Sequence, residues 1–186
     1  FPHSHPWWQR TYLDLATRYS ARRAEHVIAD SHATRADLIE NYHIKPDKIT
    51  VIYPGFDPTP FDNARRTTSR SDLPNTYLLH VGTLHPRKNL LRLLEAMDVL
   101  KDHPSKPVLV CAGKRGWLSA SITEQVKHLK LQAHVRFLDY VEQSELPSLY
   151  AHATAYVAPS LYEGFGFTPL EAMASGTPVV SSDGGS

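Results

Sequence analysis

From residue 77 onward the chain alternates between short, continuous apolar runs and stretches with an apolar position every three or four residues. Runs at 77–81, 107–112, 134–138, 155–158 and 178–181 predict five strands. Between them, Leu90, Leu93, Leu94, Met97 and Leu100 stripe one helix, with Asn89 as its cap. Ile122, Val126 and Leu129 stripe a second, for which Ser121 and Glu124 spell a capping box. Leu146, Leu149, Tyr150 and Ala153 stripe a third over 142–152, and a fourth is predicted to start at Thr168. Strands that alternate with helices and show no polar face predict βαβ units around a mostly parallel sheet covered on both sides. The fold class is therefore α/β with a Rossmann-like parallel sheet.

The first third is less regular. Trp8, Tyr12, Leu15 and Tyr19 recur at helical spacing and predict an amphipathic helix over 7–23. A short strand over 25–29, carried by Val27-Ile28-Ala29, follows, then a helix over 34–42 with Thr34 as N-cap and Leu38 and Tyr42 on one face, then a strand at 49–53 closed by Pro54-Gly55. Residues 57–75 shift to Pro, Ser, Thr, Arg and Asp without periodicity, longer than a compact connection needs. The expected division is 1–57, a linker at 58–75, and a main domain at 76–186.

Composition narrows the function. Twenty basic residues against nineteen acidic ones give a formal charge of +1, without the basic excess of a nucleic-acid binder. The single cysteine, Cys111, lies in an apolar strand run and excludes an intrachain disulfide framework. No apolar run approaches the ~18 residues of a membrane span. The chain opens on Phe1-Pro2-His3 without an initiator Met and stops at Asp183-Gly184-Gly185-Ser186, directly after a predicted strand. It reads as a piece of something longer.

The chemistry gathers in loops that follow strands. In open α/β sheets ligands bind outside the carboxyl ends of the strands. There lie Gly82 and Thr83, then Arg87-Lys88 just before a predicted helix, and Gly113-Lys114-Arg115-Gly116-Trp117 after the next strand. Two cations at a helix start oppose its dipole unless they hold an anion. Gly164-Phe165-Gly166 offers a turn whose N–H groups can approach a phosphate. Glu163 in that loop can accept from sugar hydroxyls. Glu171 lies at N3 of a box formed with Thr168 and Pro169, and either caps the helix or contacts a ligand. His80 and His85 flank the Gly82 loop. His3 and His5 lack partners at metal-ligand spacing, and neither a dinucleotide fingerprint, a P-loop nor a serine elbow is present.

In this order and spacing, these motifs resemble the retaining, nucleotide-sugar-dependent glycosyltransferases of GT-B fold in the group-1, glycogen-synthase-like family. Val51-Ile52-Tyr53-Pro54-Gly55-Phe56-Asp57 is similar to the family's passage into its donor domain, and Val81 to Asn89 to its phosphate loop. Glu163 to Glu171 resembles its E-x7-E motif, continued by Ala172 to Val180. The resemblance implies that Lys88, with Arg87, binds the donor diphosphate, and Gly82, Thr83 and Lys114 in the strand-end loops are expected to bind the donor with them. It further implies that Glu163 touches the transferred sugar and Glu171 the ribose hydroxyls. The Phe165-Gly166 backbone would lie against sugar and phosphate, with Tyr140 and Val141 by the base. It implies two Rossmann-like domains with the donor between them, of which this chain holds the connection and an incomplete donor domain that is inactive alone. The parent would be cytoplasmic or peripheral on the inner membrane face, acting on a saccharide or lipid-linked acceptor to make polysaccharide or glycolipid.

Thr83 stands where many members have Arg. With Arg87-Lys88-Asn89 it resembles a bacterial subset rich in mannosyltransferases, which favours GDP-mannose as donor, with a UDP-sugar as the alternative. No Asp-x-Asp pair is present to hold a metal, so no obligatory cofactor is expected. The competing classes are a phosphosugar epimerase or phosphorylase on the same fold, and a non-catalytic sugar-nucleotide-binding protein.

Overall fold

The computed structural model describes residues 7–62, 64, 70–114, 116 and 119–185, so the sequence readings on His3, His5, Arg115 and Trp117 lie outside the described residues. The chain forms two compact units. One comprises 1–55 with 162–166 and 183–186, the other 56–161 with 167–182.

In the second unit five strands form one parallel sheet. They are β3 (Tyr77–Val81), β4 (Val108–Ala112), β5 (Val135–Asp139), β6 (Ala155–Ala158) and β7 (Val179–Ser181), in the order β5-β4-β3-β6-β7. All five follow the apolar runs to within a residue at each end. The order grows one way from β3 through β4 to β5, then restarts on its other side with β6 and β7. The order therefore reverses between β3 and β6. Doubly wound sheets bind ligands outside the carboxyl ends of the strands at such a switch point.

Helices α4 (Leu90–Leu100) and α5 (Ser119–His128) cover one face of this sheet. Leu90, Leu93, Leu94 and Met97 pack there with Leu109, Cys111, Ile122, Val126 and Val135. The other face carries α3 (Thr59–Asp62), α6 (Leu146–His152) and α7 (Phe167–Ala174), with Phe61, Tyr77, Leu79, Leu149, Tyr150 and Tyr156 at its centre.

Several local expectations need correction. Residues 58–75, read as a linker, contain α3 and bury Phe61, Ala64 and Leu73. Arg70 there pairs with Asp72 at 3.0 Å and with Glu145 at 3.3 Å, before α6. Proline and polar residues hide this packing because only isolated apolar side chains carry it. The second helix starts at Ser119, which places Ser121 inside it as its third residue rather than at its start. Asn89 precedes α4 in a left-handed conformation, φ 55°, with no side-chain cap bond.

In the first unit, α1 (Trp7–Arg23) and α2 (His32–Glu40) accompany a parallel pair, β1 (Val27–Ala29) and β2 (Ile49–Val51). Helix α2 begins before Thr34: Ser31 is its cap, its hydroxyl accepting from the Thr34 amide at 3.0 Å. Helix α1 matches the predicted span. Its predicted apolar face, however, is exposed, with Trp8, Tyr12, Leu15 and Tyr19 each more than half accessible. Among the described residues no helix is long and apolar enough to cross a membrane.

Candidate functional site

The carboxyl edge of the five-stranded sheet is built by loops that bond to one another. The Gly82 amide donates to Ala112 O at 2.8 Å, Leu84 N to Lys114 O at 3.1 Å, and Gly113 N to Asp139 O at 2.7 Å. Gly82 and Gly113 both hold φ +147°, which disfavours a side chain, and a methyl group at Gly113 would lie 2.2 Å from the Gly82 carbonyl oxygen. The loops after β3 and β4 thus meet backbone to backbone at these two glycines.

After Gly82 the chain enters a 3-10 turn at Pro86–Lys88, entered through His85, whose Nδ1 accepts from Arg87 N at 3.3 Å. Left-handed Asn89 then separates this turn from α4, so the basic pair sits in a turn of its own rather than on the helix start. The Lys88 side chain folds back over Gly82. A Cβ there would stand 3.2 Å from Lys88 Cε and 3.6 Å from Nζ. Glycine is what lets the ammonium reach the end of β3. The loop after β6 joins the same turn, with Leu161 N donating to Arg87 O at 2.7 Å.

Further along the edge, Lys114 Nζ lies 5.3 Å from the centre of the Tyr140 ring, a cation–π contact linking the loops after β4 and β5. A register shift at Cys111/Ala112 lies opposite the end of β5, where Asp139 is left-handed at φ 54°. This irregularity turns the chain just before Tyr140. Tyr140 and Thr83 are exposed, whereas Val141 is buried in the core.

Glu171 sits on α7, which starts at Phe167. It is therefore the fifth helical residue, too far along to close a capping box with Thr168. Its carboxylate instead accepts from the Tyr150 hydroxyl at 2.7 Å, while Tyr156 donates to Thr168 Oγ1 at 2.7 Å. Burial raises the Glu171 pKa, and the Tyr150 bond partly opposes that rise. The phenol of Tyr150 is pushed far above its ordinary value, first by burial and then by the Glu171 charge. Sequence periodicity reads Tyr150 as one more apolar position of α6. Only its hydroxyl, at a place where Leu would pack equally well, could have signalled more.

Glu163, Phe165 and Gly166 group with the first unit. There the Glu163 amide donates to Gly184 O at 3.1 Å, Tyr162 donates to Asp37 at 2.6 Å, and Phe165 lies 5.9 Å from Tyr53 between ring centres. Burial and the Asp37 bond push the Tyr162 phenol up to about 12. Sequence reading missed these two tyrosine anchors of the Glu163 loop.

His80 is buried in β3 with Nδ1 2.9 Å from Val157 O, and so joins two strands of the core. The Cys111 thiol is buried, and burial pushes it up to about 12, as befits a strand position in the core. Among the described residues no group of three or more His, Cys, Asp or Glu side chains could hold a metal ion.

The profile of the glycosyl transferases group 1 family matches residues 62–186, and that of glycosyltransferase family 4 matches residues 1–60. The chain is 33% identical over 175 residues to the O-antigen chain mannosyltransferase RfbU of Salmonella typhimurium, covering 94% of this chain and 47% of that protein. It is 32% identical over 188 residues to O-antigen chain mannosyltransferase B of Escherichia coli, covering 98% and 49%. The chain thus spans about half the length of these relatives. Among solved structures it is similar to Anabaena HepE in complex with UDP and glucose, with a TM-score of 0.78 at 25% identity over 94% of this chain and 49% of that one. The same protein in complex with UDP-glucose gives 0.76 at 26% identity over the same shares.

Proposed function

The chain belongs to the glycosyl transferases group 1 family, of GT-B fold, and on that premise we propose that its parent enzyme transfers a sugar from a nucleotide-diphosphate sugar to a saccharide or lipid-linked acceptor with retention. The observation that carries this reading is the Lys88 ammonium folded over Gly82 at the carboxyl end of β3, beside the β3/β6 switch point of the sheet. A fixed cation there stabilises charge as it develops on a departing diphosphate.

Lys88 is the principal leaving-group residue in this proposal, with Arg87 as its partner and Gly82, Thr83 and Lys114 around the phosphates. Glu171 accepts from the ribose hydroxyls, and Tyr140 with the backbone at Val141 flanks the base. Glu163 contacts the transferred sugar, with the Phe165-Gly166 backbone against sugar and phosphate. The whole protein needs no bound metal in this arrangement, so turnover should survive EDTA. A strict Mn²⁺ requirement would refute that part.

A UDP-sugar is favoured as donor over the GDP-mannose implied by the resemblance at Thr83 and Arg87-Lys88-Asn89. Its support is HepE, whose structures hold UDP and UDP-glucose. The second reading, a mannose donor, rests on the two relatives named as O-antigen chain mannosyltransferases. Calorimetric titration of the full-length protein with UDP and GDP decides between them. UDP should bind at least ~10-fold tighter, a difference of about 1.4 kcal/mol. Tighter GDP binding would install the second reading, and binding of neither nucleotide would overturn the proposal.

A further inference from the structure

We infer that Tyr150 is a positioning residue for the donor site, its buried phenol holding the Glu171 carboxylate in the orientation that receives a nucleotide ribose. This rests on the ribose role proposed for Glu171, and the experiment below separates failure of one from failure of the other.

The geometry begins in the core. Tyr150 is 0% exposed, and its hydroxyl meets Glu171 Oε2 at 2.7 Å across α6 and α7. The ring has no room to turn away. It lies edge-on to Phe61, 6.2 Å between centres at 65°, and to Tyr156, 5.5 Å at 68°. Its backbone is held as well, since the Thr177 hydroxyl donates to Tyr150 O at 2.5 Å. The direction of the bond to Glu171 is thus set by packing and not by the mobile carboxylate.

A carboxylate offers about four acceptor positions, of which Tyr150 occupies one on Oε2. The others serve a ligand that brings hydroxyl donors. A free glutamate would have to be ordered when such a ligand binds, whereas here the ordering is incurred at folding. The donor is also permanent, because a phenol buried beside a negative charge does not ionise near neutral pH. Helix α7 packs against α3, α6, β6 and β7. Their titratable side chains are Asp62, Tyr150, His152 and Tyr156. Of these, Tyr150 is the one that acts on the proton affinity of Glu171. His152 bonds Ser148 within its own helix, and Tyr156 bonds Thr168.

The competing explanation is a core phenol that only stabilises the fold. Tyr77 provides the control, being another buried tyrosine of the same cluster whose hydroxyl donates to Leu149 O at 2.7 Å without touching Glu171. UDP binding, or GDP binding should that nucleotide be the tighter, is titrated calorimetrically against pH. The proteins are full-length wild type, Tyr150→Phe, Tyr77→Phe, Glu171→Gln and the Tyr150→Phe/Glu171→Gln double variant.

Tyr150→Phe should weaken binding about 3- to 10-fold, the size of one hydrogen bond. Its acid-side fall in affinity should move to higher pH, since the carboxylate loses a donor that favours its charge. Tyr77→Phe should lower Tm and leave affinity and pH profile unchanged. In the Glu171→Gln background, Tyr150→Phe should add no further loss. An unchanged affinity and acid limb in Tyr150→Phe, or an equal shift in Tyr77→Phe, overturns the inference while a weakened Glu171→Gln keeps the ribose role. Undiminished binding by Glu171→Gln overturns both. Should Tyr150→Phe not fold, 3-fluorotyrosine labelling reads the same point. The fluorine signal displaced by Glu171→Gln should also move on nucleotide addition, and its immobility at saturation overturns the inference.

Discussion

Helices α4 and α1 both carry apolar side chains at helical spacing, yet α4 buries its stripe and α1 exposes it. In the second unit Leu90, Leu93, Leu94 and Met97 meet a five-stranded sheet whose far face is covered as well. In the first unit the sheet is two strands of three residues each, and its core is Ala21, Ala29, Ile44 and Ile49. Two strands are marginal without further packing. Periodicity in a sequence reports that a face exists. Burial requires a surface within the same unit large enough to receive it. The same contrast separates the two segments proposed to act on the donor, because Lys88 and Glu171 stand on the well-packed unit while the Glu163 loop groups with the smaller one.

The sharpest break of this comparison lies in the core. Leu94→Ala, at a side chain with no exposure, should cost about 2–5 kcal/mol by denaturant unfolding. A loss under about 1 kcal/mol would mean that the core of the second unit is not as closely packed as described.

Next in size is Lys88→Ala. It should weaken nucleotide binding roughly 10- to 150-fold, the value of about 1.5–3 kcal/mol in a charge-assisted contact. Tm should hardly change, because the side chain lies over a loop glycine and not in the core. A fall in Tm with intact affinity would make it a structural residue.

Glu171→Gln should separate function from stability. A carboxyl whose folded pKa is raised stabilises the fold only while protonated, and that contribution is lost as pH rises from the unfolded value through the folded one. Near pH ~7 the ionised, half-buried carboxylate is thus a cost that Gln removes. Thermal melts should show the variant at least as stable as wild type there, with the advantage gone below about pH 4. Lower stability at neutral pH would mean that the carboxylate's bond to Tyr150 outweighs the cost of its burial.

The smallest effect belongs to α1. Trp8→Ser and Tyr12→Ser in residues 1–186 should each change stability by less than about 0.5 kcal/mol, as exposed positions do. A larger loss would break the contrast between α1 and α4.

The chain by itself determined the five parallel strands, because each lies in an apolar run and strands of a covered parallel sheet need little other signal, even though edge strand β7 leaves Val180 and Ser181 exposed. It also determined α4, whose stripe matches its burial, and the placing of Gly82 and Lys88 just beyond β3. Tertiary structure alone decided that α2 is capped by Ser31, that α3 and Leu73 belong to the core, and that α7 begins at Phe167. It alone turned Tyr150 from an apolar stripe position into the donor that fixes Glu171, and Tyr162 into the anchor of the Glu163 loop. The physical reason is range. Strand and helix periodicities are set by neighbours a few residues apart, whereas Tyr150–Glu171 and Tyr162–Asp37 join positions 21 and 125 residues apart. Such bonds depend on how whole elements pack, and no local pattern of side chains encodes that.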